Sequence, residues 1–155
     1  GHFDFLRALF ATVMVPPGVW VEVGQRGAHR PEGRSLGQAV NEGWIQVVAP
    51  GNAAFAAPEL LNLGLGEREA IQLAMEHRAL LIIDDAEGRT IAQRLGLTLT
   101  GTLGILLAAK QRRLIPRVIP EIYRLKNETT FRVSDRVVQH VLRLAGESLD
   151  PTTEL

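Results

Sequence analysis

The uninterrupted apolar run at residues 79–83 limits the fold of this chain more than any other feature. Its five residues, ALLII, include no polar side chain. A strand with one face in water alternates apolar and polar residues, whereas a strand covered on both faces is apolar throughout. The run is also shorter than a typical helix. It therefore predicts a buried strand of a parallel sheet with helices on both faces.

Strand-like and helix-like segments alternate on both sides of this run. Helices are predicted at about 4–10, 17–25, 67–78, 88–96 and 102–113, and strands at 12–15, 44–48, 97–100 and 130–134. We also expect Ser35 to cap a helix that ends at Asn41, and Ser134 to cap a last helix that ends near Ala145. This alternation predicts an α/β fold with a parallel sheet.

Length and composition exclude several classes of protein. The 155 residues suffice for one domain, which we place at residues 1–147, with residues 148–155 as a flexible tail. The chain has no cysteine, which excludes disulfide frameworks and thiolate metal sites. No apolar run approaches the roughly 20 residues that cross a bilayer. We therefore expect a cytoplasmic protein without a membrane segment.

The net charge of zero conceals an uneven distribution of charge. Residues 59–87 carry seven acids and two bases, whereas residues 103–143 carry nine bases and three acids. Fifteen of the seventeen bases are arginine, which binds phosphate bidentately. Solvated helix faces that exchange charge within the domain explain this pattern most simply. The functional alternative is an acidic centre beside a basic, phosphate-binding segment.

Two adjacent carboxylates, Asp84 and Asp85, directly follow the apolar run. In open parallel sheets the working site lies beyond the carboxyl ends of the strands, where these residues are expected. A structural role is also open, because an Asp in this position can cap the following helix. Adjacent strand residues point to opposite faces, so a shared site requires the chain to turn here.

Glu67 and Glu22 are the next candidates for an acidic site. Glu67 opens a predicted helix after the glycine-containing LGLG, and Glu22 follows the strand at 12–15 by about one and a half helical turns. Each alone fits an ordinary surface glutamate. Together with the two aspartates they would supply oxygen ligands for Mg2+ or Mn2+. Such a group of like charges is unfavourable without a cation.

Several residues near the predicted strand ends could contact phosphate. Thr102 follows a strand and opens a helix, which Thr100 or Thr102 is expected to cap while still facing the acidic site. Arg89 either holds a phosphate or forms a structural ion pair. Lys110, Arg112 and Arg113 are predicted to contact a nucleic-acid backbone.

Trp20 and Trp44 are interpreted as core residues rather than base-stacking platforms.

Three segments together resemble the PIN-domain superfamily, in particular bacterial PIN-like proteins related to toxin ribonucleases of toxin–antitoxin pairs. They are PPGVWVEVG (16–24), LGLGEREAIQLAMEHRALLIIDDAEGR (63–89) and LGLTLTGTLGILLAAKQRRLIP (95–116). The resemblance covers nearly the whole chain. It implies a three-layer α/β/α fold with a central, mostly parallel sheet. It also implies hydrolysis of RNA that depends on Mg2+ or Mn2+, and an antitoxin protein as a partner.

The resemblance assigns roles to the acidic residues. Glu22, Glu67 and Asp85 match the family's catalytic metal ligands, and Asp84 would assist or orient them. The family's first strand, which ends in a further Asp, has no counterpart in this sequence. Its absence would leave unpaired strand edges, which an upstream segment, a strand from a partner chain or closure of the flanking strands would satisfy. We expect a homodimer or larger assembly in which identical chains exchange a strand.

Two other functions remain open at the level of sequence. A PIN-like fold without its first acid would serve as an inactive module that binds nucleic acid or protein. A phosphate-signalling receiver domain also has paired acids and a doubly wound sheet. In receiver domains, however, the acid pair belongs to the first strand, whereas here it lies in mid-chain.

Overall fold

The computed structural model describes residues 4–51, 57–129 and 131–148. The chain divides into two compact units, residues 1–100 and residues 101–155. The first hundred residues carry eight arginines and eleven acids, whereas residues 101–148 carry nine bases and four acids. The uneven charge of the sequence therefore follows the division into units.

Short strands alternate with helices in the described part of the first unit. In chain order the elements are α1 (Asp4–Leu9), β1 (Val13–Val15), α2 (Pro17–Val19), a π-helix (Trp20–Gln25), α3 (Pro31–Asn41), β2 (Ile45–Val47), a 3-10 helix (Pro58–Asn62), α4 (Leu65–His77), β3 (Leu81–Ile82), α5 (Ala86–Arg94) and β4 (Leu99–Thr100). The predicted helices and strands of this unit are present, with most strands shorter than predicted. Pro17 opens α2 at the helical position that tolerates proline best.

All strand pairing in the described residues is parallel, as predicted. β1 pairs with β2 in the register Val13 to Ile45, and β3 pairs with β4 in the register Leu81 to Leu99. The described strands form two separate pairs, and β1 does not pair with β3. The α/β class is therefore confirmed, with the strands grouped in two pairs instead of one continuous sheet.

Two hydrophobic clusters hold the first unit together. In one, β3 packs with α4 and α5 through buried side chains that include Ile71, Leu81 and Ile91. In the other, α3 packs on β2, and Trp20 and Trp44 lie partly buried against it. The interpretation of both tryptophans as core residues is confirmed. Each cluster covers one pair of strands.

Two predicted elements differ from the structure in their start or in their presence. α3 begins at Pro31 and not after Ser35, because a proline in the first turn already has the φ angle that a helix needs. The strand expected at 130–134 does not form at residues 131–134, and Thr130 lies outside the described residues. There the hydroxyl of Thr129 accepts a 3.0 Å bond from the backbone N–H of Phe131, which replaces a strand hydrogen bond.

The described part of the second unit consists of three helices, α6 (Thr102–Gln111), α7 (Ile119–Glu128) and α8 (Asp135–Ala145). Ser134 is the residue that precedes α8, as predicted, but its hydroxyl makes no capping hydrogen bond. Instead, one carboxylate links the ends of all three helices. Glu147 accepts 2.7 Å and 3.1 Å bonds from the backbone N–H groups of Val118 and Ile119, at the start of α7.

Lys110 of α6 completes this arrangement at the end of α8. Its ammonium donates a 2.6 Å bond to Glu147 and another of 2.6 Å to the carbonyl of Ala145. The Glu147 side chain is only 5% exposed. Burial alone would raise the pKa of Glu147, but the bonds from Lys110 and from the two backbone N–H groups outweigh it and lower the pKa.

Glu147→Gln should destabilise the second unit at neutral pH, by about 1–3 kcal/mol, because the partly buried Lys110 ammonium loses its charged partner. A pKa lowered by folding stabilises the fold above the unfolded pKa, and this stabilisation disappears as pH falls through the folded pKa. The difference between wild type and variant should therefore shrink between about pH 7 and about pH 3. Urea unfolding followed by circular dichroism measures it at both pH values.

Glu121→Gln is the matched control, because within the described ranges Glu121 forms an ion pair only with the exposed Arg124 of its own helix, at 3.5 Å. It should change the free energy of unfolding by no more than a few tenths of a kcal/mol. An equal loss of stability in the two variants would show that the Glu147 network has no special role.

Candidate functional site

Two glycines let α2 and α4 approach each other closely. A Cβ atom on Gly66 would lie 2.9 Å from a methyl carbon of Val19, and one on Gly18 would lie 3.0 Å from the backbone nitrogen of Gly66. Side chains of any size would therefore push the two helices apart. The close approach determines where the neighbouring residues Glu67 and Glu22 lie in the unit.

Glu69 holds the two helices together by a hydrogen bond between them. Its carboxylate accepts a 2.7 Å bond from the backbone N–H of Gly18. Pro16 and Pro17 have no N–H, so Gly18 carries the first free donor of the helical segment, at the positive end of its dipole. Sequence reasoning did not single out Glu69. The Pro-Pro-Gly sequence was its only signal, since it leaves one donor in need of a distant acceptor.

Glu67 and Glu22 lie on the two helical segments that this bond joins. Glu67 is partly buried in the first turn of α4, and its carboxylate lies against Gly64, the residue before the helix. A carboxylate is stabilised there by the helix dipole. Glu22 is exposed on the π-helix. Both residues are thus in helical turns, as predicted.

Asp85 caps α5. Its carboxylate accepts a 2.6 Å bond from the backbone N–H of Gly88, so the capping interpretation is confirmed for this residue. A carboxylate has about four acceptor sites, and the cap occupies one of them. Asp84 is exposed beside it. Arg89 lies on the first turns of the same helix and donates a 2.8 Å bond to the carbonyl of Ile83, at the end of the preceding strand.

The predicted acids do not form a complete cation site among the described residues. Within residues 4–51, 57–129 and 131–148, no group of three or more His, Asp or Glu side chains could hold a metal ion. The oxygen chemistry of Glu22, Glu67, Asp84 and Asp85 suits Mg2+ or Mn2+. Their arrangement, however, does not bring three of them together.

The predicted nucleic-acid contacts of the second unit differ in exposure. Thr102 is the first residue of α6, after Gly101. Lys110 is held by Glu147 and by the carbonyl of Ala145, so its ammonium is already engaged. Arg112 and Arg113 follow α6 and are exposed. Arg113 has a φ of 59°, a left-handed conformation that ends the helix.

A cleft of about 300 Å³ lies in the first unit and is lined by both β1 and β3. Val13 and Val15 direct their backbone groups to β2, so those of Met14 point away from it. The backbone N–H groups of Leu81 and Ile83 likewise bond to the strand that contains β4. The backbone N–H and C=O of Ile82 therefore point away from that strand. Ile82 is 37% exposed, and the cleft is lined largely by apolar residues. Two strand edges without partners among the described residues thus border one apolar cleft.

The chain is similar to a known protein family over most of its length. A family model described as a PIN domain matches residues 1–147. No curated protein and no solved structure matches the chain. None of the helices within residues 4–51, 57–129 and 131–148 could span a lipid bilayer.

Asp85→Ala should cost about 0.5–2 kcal/mol in the free energy of unfolding, because the Gly88 N–H loses its acceptor. Asp85→Asn should cost much less, since the amide oxygen still accepts that bond. Glu87→Ala, in the same helical turn, removes the same charge without a cap and serves as the control. Thermal unfolding measures all three, and equal losses in Asp85→Ala and Asp85→Asn would contradict the capping role.

Proposed function

The chain belongs to the PIN-domain family, and we propose that it is a metal-dependent endoribonuclease that acts on RNA in the cytoplasm. The family match over residues 1–147 carries this proposal, because PIN domains have a nuclease-type fold and generally depend on divalent metal ions. The acidic first unit and the basic second unit agree with it. Carboxylates suit a hard cation, and arginines suit a polyanion.

In this proposal Glu22, Glu67 and Asp85 are the catalytic acids, and Asp84 is a further metal ligand. Asp84 and Asp85 follow β3 at its carboxyl end, where open parallel sheets carry their sites. A bound Mg2+ or Mn2+ would lower the pKa of a water molecule and offset charge on the phosphate. The role of the protein is then to hold its carboxylates in place, which Asp85 does through its bond to the α5 backbone.

The proposal also assigns contacts to the RNA backbone. Arg89, Thr102, Arg112 and Arg113 would contact the backbone of the substrate. Lys110 would contribute at most one N–H donor, because Glu147 and the carbonyl of Ala145 engage two of the three on its ammonium.

A catalytically inactive module that binds nucleic acid or protein is the second candidate. One observation favours it: the described residues bring no three acidic or histidine side chains together as a metal site. A nuclease needs the carboxylates to converge when metal and substrate bind. A binding module has no such requirement.

The proposal extends to the partners of the protein. The resemblance of residues 63–89 and 95–116 to toxin ribonucleases supports a role as the toxin of a toxin–antitoxin pair, with an antitoxin protein as its partner.

The cleft beside β1 and β3 supports a homodimer. The backbone groups of Met14 and Ile82 point away from β2 and β4, and each such group costs about 1–3 kcal/mol if it is buried without a partner. A strand from a second copy would satisfy them, and exchange of a strand between identical chains is a low-cost route to a dimer.

Asp85→Asn and Glu67→Gln should each abolish RNA cleavage and weaken the binding of Mn2+ at least tenfold, because a metal site loses affinity with each carboxylate it loses. Both variants should keep the melting temperature of the wild type within a few degrees. Gel analysis of a labelled RNA and calorimetric titration with Mn2+ give the two readouts.

Glu87→Gln removes one carboxylate from the same acidic stretch and should leave both readouts unchanged. Cleavage retained by the Asp85 and Glu67 variants would remove these residues from the site. Binding of RNA without cleavage, in wild type and variants alike, would favour the inactive module.

The wild-type protein should run as a dimer in light scattering at micromolar concentration. Ile82→Lys should give a monomer, because a charge on a strand edge opposes the addition of a further strand. Leu61→Lys places the same charge at another exposed apolar position and should leave the dimer intact. A stable wild-type monomer would end the homodimer proposal.

A further inference from the structure

The outward face of α8 carries three nitrogen-rich side chains in a row. Arg136, His140 and Arg143 are exposed, and their spacing of four and three residues places them on one side of the helix. The opposite side packs into the second unit through Val138, Val141 and Leu142. The row therefore lies directly opposite the buried face. Its length is about 10 Å, from the rise of 1.5 Å per residue.

This cationic row lacks the carboxylates that usually accompany such residues on a solvated helix. Among the described residues, no carboxylate lies within 4.0 Å of Arg136 or Arg143 to form an ion pair. Asp135, the neighbouring acid, is 3.8 Å from Lys126. Helices that are merely solvated gain from opposite charges three or four residues apart, and this face has none.

The acids of the second unit are engaged elsewhere. Glu147 is held by Lys110, and Glu121 lies 3.5 Å from Arg124. Residues 101–148 contain nine Lys or Arg and four Asp or Glu. An excess of positive charge thus remains on the surface, and a polyanion would offset it.

Arg136 is the residue that folding alone does not explain. It lies in the first turn of α8, where the helix dipole presents its positive end and a cation is unfavourable. Arg143, in the last turn, is at the favourable end. A ligand with negative charge along the whole helix would make both positions favourable.

We propose that Arg136, His140 and Arg143 bind the phosphate backbone of single-stranded RNA, an inference that rests on the proposed function because it gives the RNA substrate its docking surface. Each guanidinium can bind a phosphate through two parallel N–H bonds, and the imidazole donates a further bond between them. No Phe, Tyr or Trp occurs in α8, so we expect the interaction to be mainly with phosphates and to depend little on base sequence.

An anionic membrane surface fits this helix less well than RNA does. Helices that lie in a membrane interface insert a broad apolar face. In α8 the apolar face is buried in the protein, and only Val137 and Leu144 remain exposed beside the cationic row. The exposed surface is therefore mainly charged, as a polyelectrolyte partner requires.

The salt dependence of RNA binding tests the inference. Fluorescence anisotropy with a labelled oligouridylate, in EDTA so that no cleavage occurs, gives the dissociation constant at several salt concentrations. For single strands, log Kd rises with log salt concentration, and the slope decreases by about 0.7 for each phosphate that the protein no longer neutralises. Arg136→Gln and Arg143→Gln should each lower the slope by this amount, and the double variant should lower it by about 1.4.

Arg94→Gln is the matched control, because Arg94 is an exposed arginine in the last turn of α5 and loses the same charge. It should leave the slope unchanged. Arg136→Gln should also melt at the same temperature as the wild type or slightly higher, because it removes a cation from the wrong end of a helix. Weaker binding together with unimpaired stability is a result that a structural role for Arg136 does not give.

Three results would overturn the inference. They are an unchanged slope in the double variant, an equal decrease in Arg94→Gln, and tighter binding to phosphatidylserine vesicles than to RNA with the same dependence on Arg136.

Cleavage is assayed separately with Mn2+. If the double variant still binds RNA with the wild-type slope while the wild type cleaves RNA, this inference fails and the proposed function stands. If α8 variants lose binding and the wild type does not cleave, the docking surface stands and the nuclease function fails.

Discussion

The first unit depends on one close approach, between Gly18 of α2 and Gly66 of α4. Without Cβ atoms the two helices come near enough for Glu69 to accept a hydrogen bond from the first free N–H after the two prolines. This bond joins the helical segment that follows β1 to the helix that precedes β3. It thereby determines where Glu22 and Glu67 lie, although neither residue takes part in it.

The acidic residues of this protein fall into two groups that sequence alone does not distinguish. Glu69, Asp85 and Glu147 accept hydrogen bonds from backbone N–H groups at the starts of helices, so they contribute to stability. Glu22 and Asp84 are exposed. Asp85 is exposed as well, and a cation site that includes it would use the acceptor sites that the cap leaves free. The capping bond fixes the position of the Asp85 carboxylate and leaves its other acceptor sites available to a cation.

Most local structure could be predicted, because it depends on neighbouring residues. The apolar run at 79–83 and the helical spacing after Glu67 identified a strand and a helix from short-range periodicity alone. The strand at 130–134 was wrong because a strand needs a partner, and the hydroxyl of Thr129 supplied a local bond instead. The start of α3 was wrong because Pro31 outweighed Ser35 as a helix-start signal.

The sequence by itself determined the α/β class, the parallel pairing, the uneven charge and the family to which the chain belongs. These follow from residue order and short-range periodicity. Only the tertiary structure decided which carboxylates serve as caps, that Lys110 is bound to Glu147, and that Arg136 and Arg143 remain without a carboxylate partner among the described residues. The reason is physical. A hydrogen bond or an ion pair between residues tens of positions apart depends on how the helices pack, and the residues that are adjacent in the sequence do not indicate that packing.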